Sequence, residues 1–126
     1  MAAVHVLGLD HYVLDVSDVE RSLEWYTGLL GLRGERVDEW RAGDAPFPSV
    51  RVDESFVIDL FAKEPTGDNV DHVCFVVRPG DVDAVAGDDR FDVLEGPVPR
   101  WGARGDGRSV YVRDPDGNTV ELRTYD

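Results

Sequence analysis

The chain has 126 residues, 42% of them hydrophobic, with 13 Lys and Arg against 26 Asp and Glu for a net charge of −13. At roughly 100–200 residues per domain this is a single domain spanning 1–126, with enough apolar content to fold. The acidity excludes nucleic-acid binding, which needs a stripe of Lys and Arg, whereas Lys63 is the one lysine and the arginines are scattered.

Residues 5–16 read as a first strand. Asp10 and His11 interrupt its apolar stretch and no charged segment precedes it, so it has no signal-peptide pattern. Ser17 and Glu20 form a capping box, and Val19, Leu23, Tyr26 and Leu30 follow at helical spacing until Gly31. Strands are expected at about 33–41, 48–53 and 55–62, and Pro65-Thr66-Gly67-Asp68-Asn69 is a turn-rich junction. A strand at 70–78 holds Cys74, the single cysteine, which excludes an internal disulfide and fits a reducing cytoplasm. A short helix near 80–87 follows, then strands at about 91–98, 108–114 and 118–125. The run from Gly96 to Arg108 is rich in Gly and Pro and reads as a loop, and Asp114-Pro115-Asp116-Gly117-Asn118 reads as a hairpin turn. No apolar run approaches the roughly 20 residues that span a bilayer.

A weak internal repeat underlies this order. Leu9-Asp10-His11-Tyr12-Val13 matches Val70-Asp71-His72-Val73-Cys74, and the strand around Asp59 matches the strand around Glu121 at nearly the same offset. The expected architecture is therefore α+β. Two tandem βαβββ modules, about 4–63 and about 69–125, would form a curved mixed sheet around a central cavity. Side-chain alternation puts His11 opposite Tyr12, Leu14 and Val16, and Asp59 opposite Ile58 and Leu60. It likewise puts His72 opposite Val73 and Phe75, and Glu121, with Arg123 and Tyr125, opposite Val120 and Leu122. Each module thus supplies one histidine and one carboxylate from the face that does not pack on its core. If the modules face each other these four converge, and such a donor set suits one divalent Fe, Mn, Ni, Co or Zn ion. His5 has no counterpart in the second module and is an ordinary histidine on this reading.

These residues resemble the vicinal oxygen chelate superfamily, which includes glyoxalase I, extradiol dioxygenases, methylmalonyl-CoA epimerase and bleomycin-resistance proteins. The most specific part is Arg113-Asp114-Pro115-Asp116-Gly117-Asn118 with Glu121, and the likeness runs from Leu9 to Tyr125. Glu95-Gly96-Pro97-Val98-Pro99-Arg100 with Arg108-Ser109-Val110-Tyr111 is similar to a glyoxalase-domain "virulence protein" subgroup. The resemblance implies that His11, His72 and Glu121 are the metal triad. Asp59 stands where glyoxalase I has a fourth ligand, normally Glu, and Glu121 or Asp59 would be the catalytic base. It implies a metal-dependent enzyme acting on a small oxygenated substrate, with glyoxalase-like isomerase or lyase chemistry ahead of dioxygenation. The alternative is a non-catalytic, bleomycin-resistance-type protein holding a cationic ligand in an acidic groove. A cytoplasmic homodimer with no membrane or nucleic-acid partner is expected in either case.

Overall fold

The computed structural model describes residues 2–29, 31–67, 69–113 and 117–125. The chain is α+β, with strands paired in both parallel and antiparallel fashion. It divides into two compact units: His11–Asp71, and the residues up to Asp10 together with those from His72 onward. The long first strand, β1 (Val6–Val16), runs through that division, so its first half counts with the C-terminal unit.

In the unit His11–Asp71 the sheet order is β2-β3-β4-β1, with β2 (Arg33–Glu35), β3 (Ser49–Asp53) and β4 (Phe56–Ala62) antiparallel in sequence and β4 parallel to β1. Helix α1 (Val19–Leu23) supplies Val19 and Leu23 to a core with Val50, Ile58 and Leu60. Tyr12, Leu14 and Val16, on the face of β1 predicted to pack inward, lie against this cluster. The helix starts one residue later than the capping box suggests. Asp18, not Ser17, is the N-cap, and its carboxylate accepts from the Arg21 amide at 3.0 Å. After Leu23 the chain continues as a wider π-helical turn, Glu24–Leu29, in which the Thr27 hydroxyl donates to the Leu23 carbonyl at 2.6 Å. Gly31 ends it at φ +72°, as expected, while Leu30 lies outside the described residues.

The strand expected over 33–41 is only three residues long. Arg36 takes a left-handed conformation (φ 58°) and starts helix α2 (Val37–Arg41), whose Val37 and Trp40 pack on the core at helical spacing. Strand alternation and a short i, i+3 pair are hard to separate in so few residues, and the left-handed Arg36 decides between them.

The C-terminal unit has the order β5-β8-β7-β6, with β5 (Val70–Val77) parallel to β8 (Thr119–Thr124) and the remaining neighbours antiparallel. Val82 and Val85 of α3 (Asp81–Ala86) join Val77, Val110, Val112 and Leu122 in a second core. The loop expected over 96–108 is instead a long hairpin, β6 (Asp92–Gly102) and β7 (Gly105–Arg113), closed at Ala103-Arg104. Pro99, Gly102, Gly105 and Gly107 pair regularly in the hairpin, while Gly96 and Pro97 are absorbed where the register shifts after Glu95. Gly96 sits there at φ +110°, and a Cβ on it would meet the Ser109 carbonyl at 2.6 Å. Of the predicted hairpin turn after β7, Asp114–Asp116 lie outside the described residues and Gly117 has φ +87°. No helix among the described residues is long and apolar enough to cross a membrane.

Each small core has few residues to spare. Leu60, fully buried, is one of the largest in its cluster. Leu60→Ala should cost about 2–5 kcal/mol in denaturant unfolding, the usual range for a buried leucine truncated to alanine.

Candidate metal centre

Alternation predicts that His11, Asp59, His72 and Glu121 leave the apolar face of their strands, and it does so correctly. The face they occupy is nonetheless buried. His11 is 3% exposed, Asp59 2%, His72 9% and Glu121 1%. A strand buried on both faces, one apolar and one charged, needs partners for every charge it hides.

In the unit His11–Asp71, β1 and β4 run parallel with Val13 opposite Asp59. His11, two residues earlier on the same face, brings Nε2 to 3.7 Å from Asp59 Oδ2. The other carboxylate oxygen, Oδ1, accepts the Ser49 hydroxyl at 2.5 Å across the β3–β4 pair.

The C-terminal unit repeats this plan. Cys74 stands opposite Glu121 in the parallel pair, and His72, again two residues earlier, places Nε2 3.1 Å from Glu121 Oε1. The Ser109 hydroxyl donates to Oε2 at 2.7 Å. So a His, a carboxylate and a serine recur in each unit. The serines are a feature that the repeat at the level of motifs does not display, because Ser49 directly faces Asp59 whereas Ser109 is paired with Arg123, a step away from Glu121.

The C-terminal unit also brings an arginine to its carboxylate. Arg123 is fully buried and its Nη1 reaches Glu121 Oε2 at 3.3 Å. The same guanidinium donates to the carbonyls of Arg100 (2.8 Å), Trp101 (3.3 Å) and Gly105 (3.3 Å) and lies over the Tyr125 ring at 4.6 Å. Tyr125 donates to Asp10 Oδ1, and Asp10 Oδ2 accepts the Ala103 amide at 3.1 Å. Burial works against the charge on Arg123, and the surrounding Tyr125, Asp10, Cys74 and Glu121 more than restore it. The neighbouring neutral groups are held neutral. Burial first, then the Glu121 and Asp10 carboxylates, push the Cys74 thiol well above its ordinary range. Burial and Glu121 do the same to Tyr111, whose ring meets the His72 imidazole edge-on at 5.7 Å.

His5 lies outside this arrangement, with an exposed side chain and a backbone amide that donates to Asp81 at 3.0 Å. Trp25 is half exposed on the π-helical turn. Sequence reasoning placed Arg123 on the Glu121 face without giving it a partner, and alternation was the signal available.

Burial, the Asp10 acceptor and the Asp10 charge raise the Tyr125 phenol above its ordinary value of 10.0, while the Arg104 amide and Arg123 oppose them. A folded-state pKa above the unfolded one means stability that is complete below pH 10 and is lost as pH rises through the folded value. Tyr125→Phe should therefore flatten the alkaline decline in melting temperature above about pH 10 and remove one late-ionising phenol from the ultraviolet titration. An unchanged titration would contradict the burial of this hydroxyl.

Comparison with known proteins identifies the family. The profile of the Glyoxalase/Bleomycin resistance protein/Dioxygenase superfamily matches residues 8–122. The virulence protein STM3117 of Salmonella typhimurium is 32% identical over 125 residues, covering 93% of this chain and 83% of that protein. The 3-methylcatechol 2,3-dioxygenase of Pseudomonas putida is also 32% identical, over 90% of this chain, which spans only 40% of the dioxygenase. Among solved structures, a Mn(II)-bound glyoxalase from Novosphingobium aromaticivorans shares the fold with a TM-score of 0.72 at 20% identity, over 96% of this chain and 40% of that one. The chain belongs to the glyoxalase/bleomycin resistance protein/dioxygenase superfamily.

Proposed function

We propose that this chain is a divalent-metal enzyme acting on a small oxygenated substrate, with His11, His72 and Glu121 holding one ion and Asp59 as a fourth donor or as the base. The observation that carries the reading is the duplicated, buried His–carboxylate pair, each carboxylate held by a serine hydroxyl. The donor chemistry fits. Two imidazoles and two carboxylates suit Fe, Mn, Co, Ni or Zn rather than Ca or Mg. The spacing fits as well, because two ligand atoms about 2.1 Å from one ion at a right angle lie about 3.0 Å apart. His72 Nε2 and Glu121 Oε1 are 3.1 Å apart.

A bound ion supplies Lewis-acid polarisation of substrate oxygens. The protein's own part is to orient the substrate, exclude water and carry a proton. Glu121 and Asp59 are the two buried carboxylates that could move a proton between adjacent carbons, the glyoxalase-like chemistry that leads. Dioxygenation is the second reading, favoured by the 32% identity with the ring-cleaving dioxygenase and by the two-His-one-carboxylate set.

Protein purified without chelators should carry about one divalent ion per chain by elemental analysis. Glu121→Gln and His72→Ala should lose it, while Asp59→Asn should retain it and lower turnover by about 10²–10⁴-fold if Asp59 is the base. Full metal retention in His72→Ala contradicts the reading, and so does a purified protein with no ion at all. In the latter case salt-sensitive calorimetric binding of a cationic glycopeptide would identify the sequestering alternative. Turnover of a catechol that requires both Fe(II) and dioxygen would put the second reading first.

We also propose a homodimer, supported by the exposed apolar side chains Val6, Leu7 and Leu9 along the first half of β1. Sedimentation equilibrium at micromolar concentration should return twice the 14.0 kDa chain mass, and a single-chain mass would refute it.

A further inference from the structure

The carboxylate of Glu121 has its two oxygens set to different tasks. Oε1 is turned to His72 Nε2 at 3.1 Å, while Oε2 takes the Ser109 hydroxyl at 2.7 Å and Arg123 Nη1 at 3.3 Å. Arg123 has little freedom to leave. Its guanidinium is fully buried and tied to three carbonyls of the β6–β7 turn region. It also lies in a slot cleared by two glycines. A Cβ on Gly102 would stand 2.5 Å from the guanidinium carbon, and one on Gly107 2.5 Å from Nη2. Those glycines need no unusual φ, unlike Gly105 in the same turn, so the space itself is the requirement.

We propose that Arg123 and Ser109 are positioning residues that clamp Oε2 of Glu121, so that Oε1 is the oxygen offered beside His72. This deepens the metal-enzyme reading and rests on it. A glutamate side chain has three rotatable bonds, and a strand position alone does not choose which oxygen faces the imidazole. Arg123 makes that choice because its planar fork meets the carboxylate on one side and the turn carbonyls on the other. A lysine has the charge without the fork and cannot do both. The orientation of a ligand by its neighbours is worth about 10–100-fold in metal affinity where it has been tested by mutation.

The test uses the full chain and two metals, Mn²⁺ by calorimetry and Co²⁺ by its visible spectrum. Arg123→Lys should weaken Mn²⁺ binding about 10–100-fold and shift the Co²⁺ bands. Ser109→Ala, which leaves the arginine slot intact, should weaken Mn²⁺ binding less and shift the bands in the same direction. A purely structural role for Arg123 would lower the melting temperature without moving the Co²⁺ spectrum of the folded protein. Wild-type affinity and spectrum in a folded Arg123→Lys overturn the clamp. Should that variant not fold, the same result in Ser109→Ala overturns it. Glu121→Gln separates the two readings. If the wild type binds no ion, or Glu121→Gln binds as well as the wild type, the metal reading itself fails and the clamp with it. If Glu121→Gln alone loses the ion, only the clamp fails.

Discussion

The constraint on which the rest depends is that β4, β8, β1 from Asp10 onward and β5 from His72 onward have little exposed surface on either face. On one face apolar side chains meet a helix; on the other a carboxylate is taken out of water in each unit. An ionised carboxylate in such surroundings is sustained only by charge and hydrogen-bond partners arranged around it. Each unit answers with the same small set, an imidazole two residues before the position opposite the carboxylate and a serine hydroxyl on the adjoining strand. A parallel pair with a fixed register makes that placement repeatable, since a one-residue slip would turn every one of these groups to the helix side.

The two halves then diverge in how firmly the carboxylate is held. Asp59, with its shorter side chain, reaches 3.7 Å from its histidine, and Glu121 reaches 3.1 Å. Glu121 also has Arg123, and Arg123 draws the β6–β7 turn, Tyr125 and Asp10 into one buried network. That network accounts for two of the glycines around the turn, while Gly105 serves its positive φ. Gly102 and Gly107 leave room for the guanidinium, and equally for the Tyr125 hydroxyl and the Thr124 carbonyl, rather than supplying backbone freedom.

Much of this was legible before any coordinates. The strand face that His11, Asp59, His72 and Glu121 share is legible from two periodicities, the strand period of two and the offset between modules. What failed were local decisions with small energies. Ser17 and Asp18 are both good caps, and which one closes the helix is worth little. The segment after Glu35 turned on one left-handed residue, Arg36. The run from Gly96 to Arg108 looked irregular because glycine and proline usually mark loops. Here they mark a bulge and a slot whose occupant, Arg123, comes from a strand more than a dozen residues away. Nothing local to 96–108 announces that guest.

The net charge of −13 acquires a narrower meaning in this light. Most of the acidic residues are solvated or paired at the surface, as Asp88 is with Arg90, whose hydrogen bonds hold that carboxyl down to about 2. Such pairs are screened and add little to stability. Three of the buried carboxylates, Asp10, Asp59 and Glu121, are different in kind: each is held by named donors, and Arg123, the only fully buried arginine among the described residues, is spent on two of them. That one guanidinium offsets part of the charge that burial makes costly, which is what lets these carboxylates stay out of water. The proposed chemistry therefore rests on the buried imidazole–carboxylate pairs and not on the surface charge.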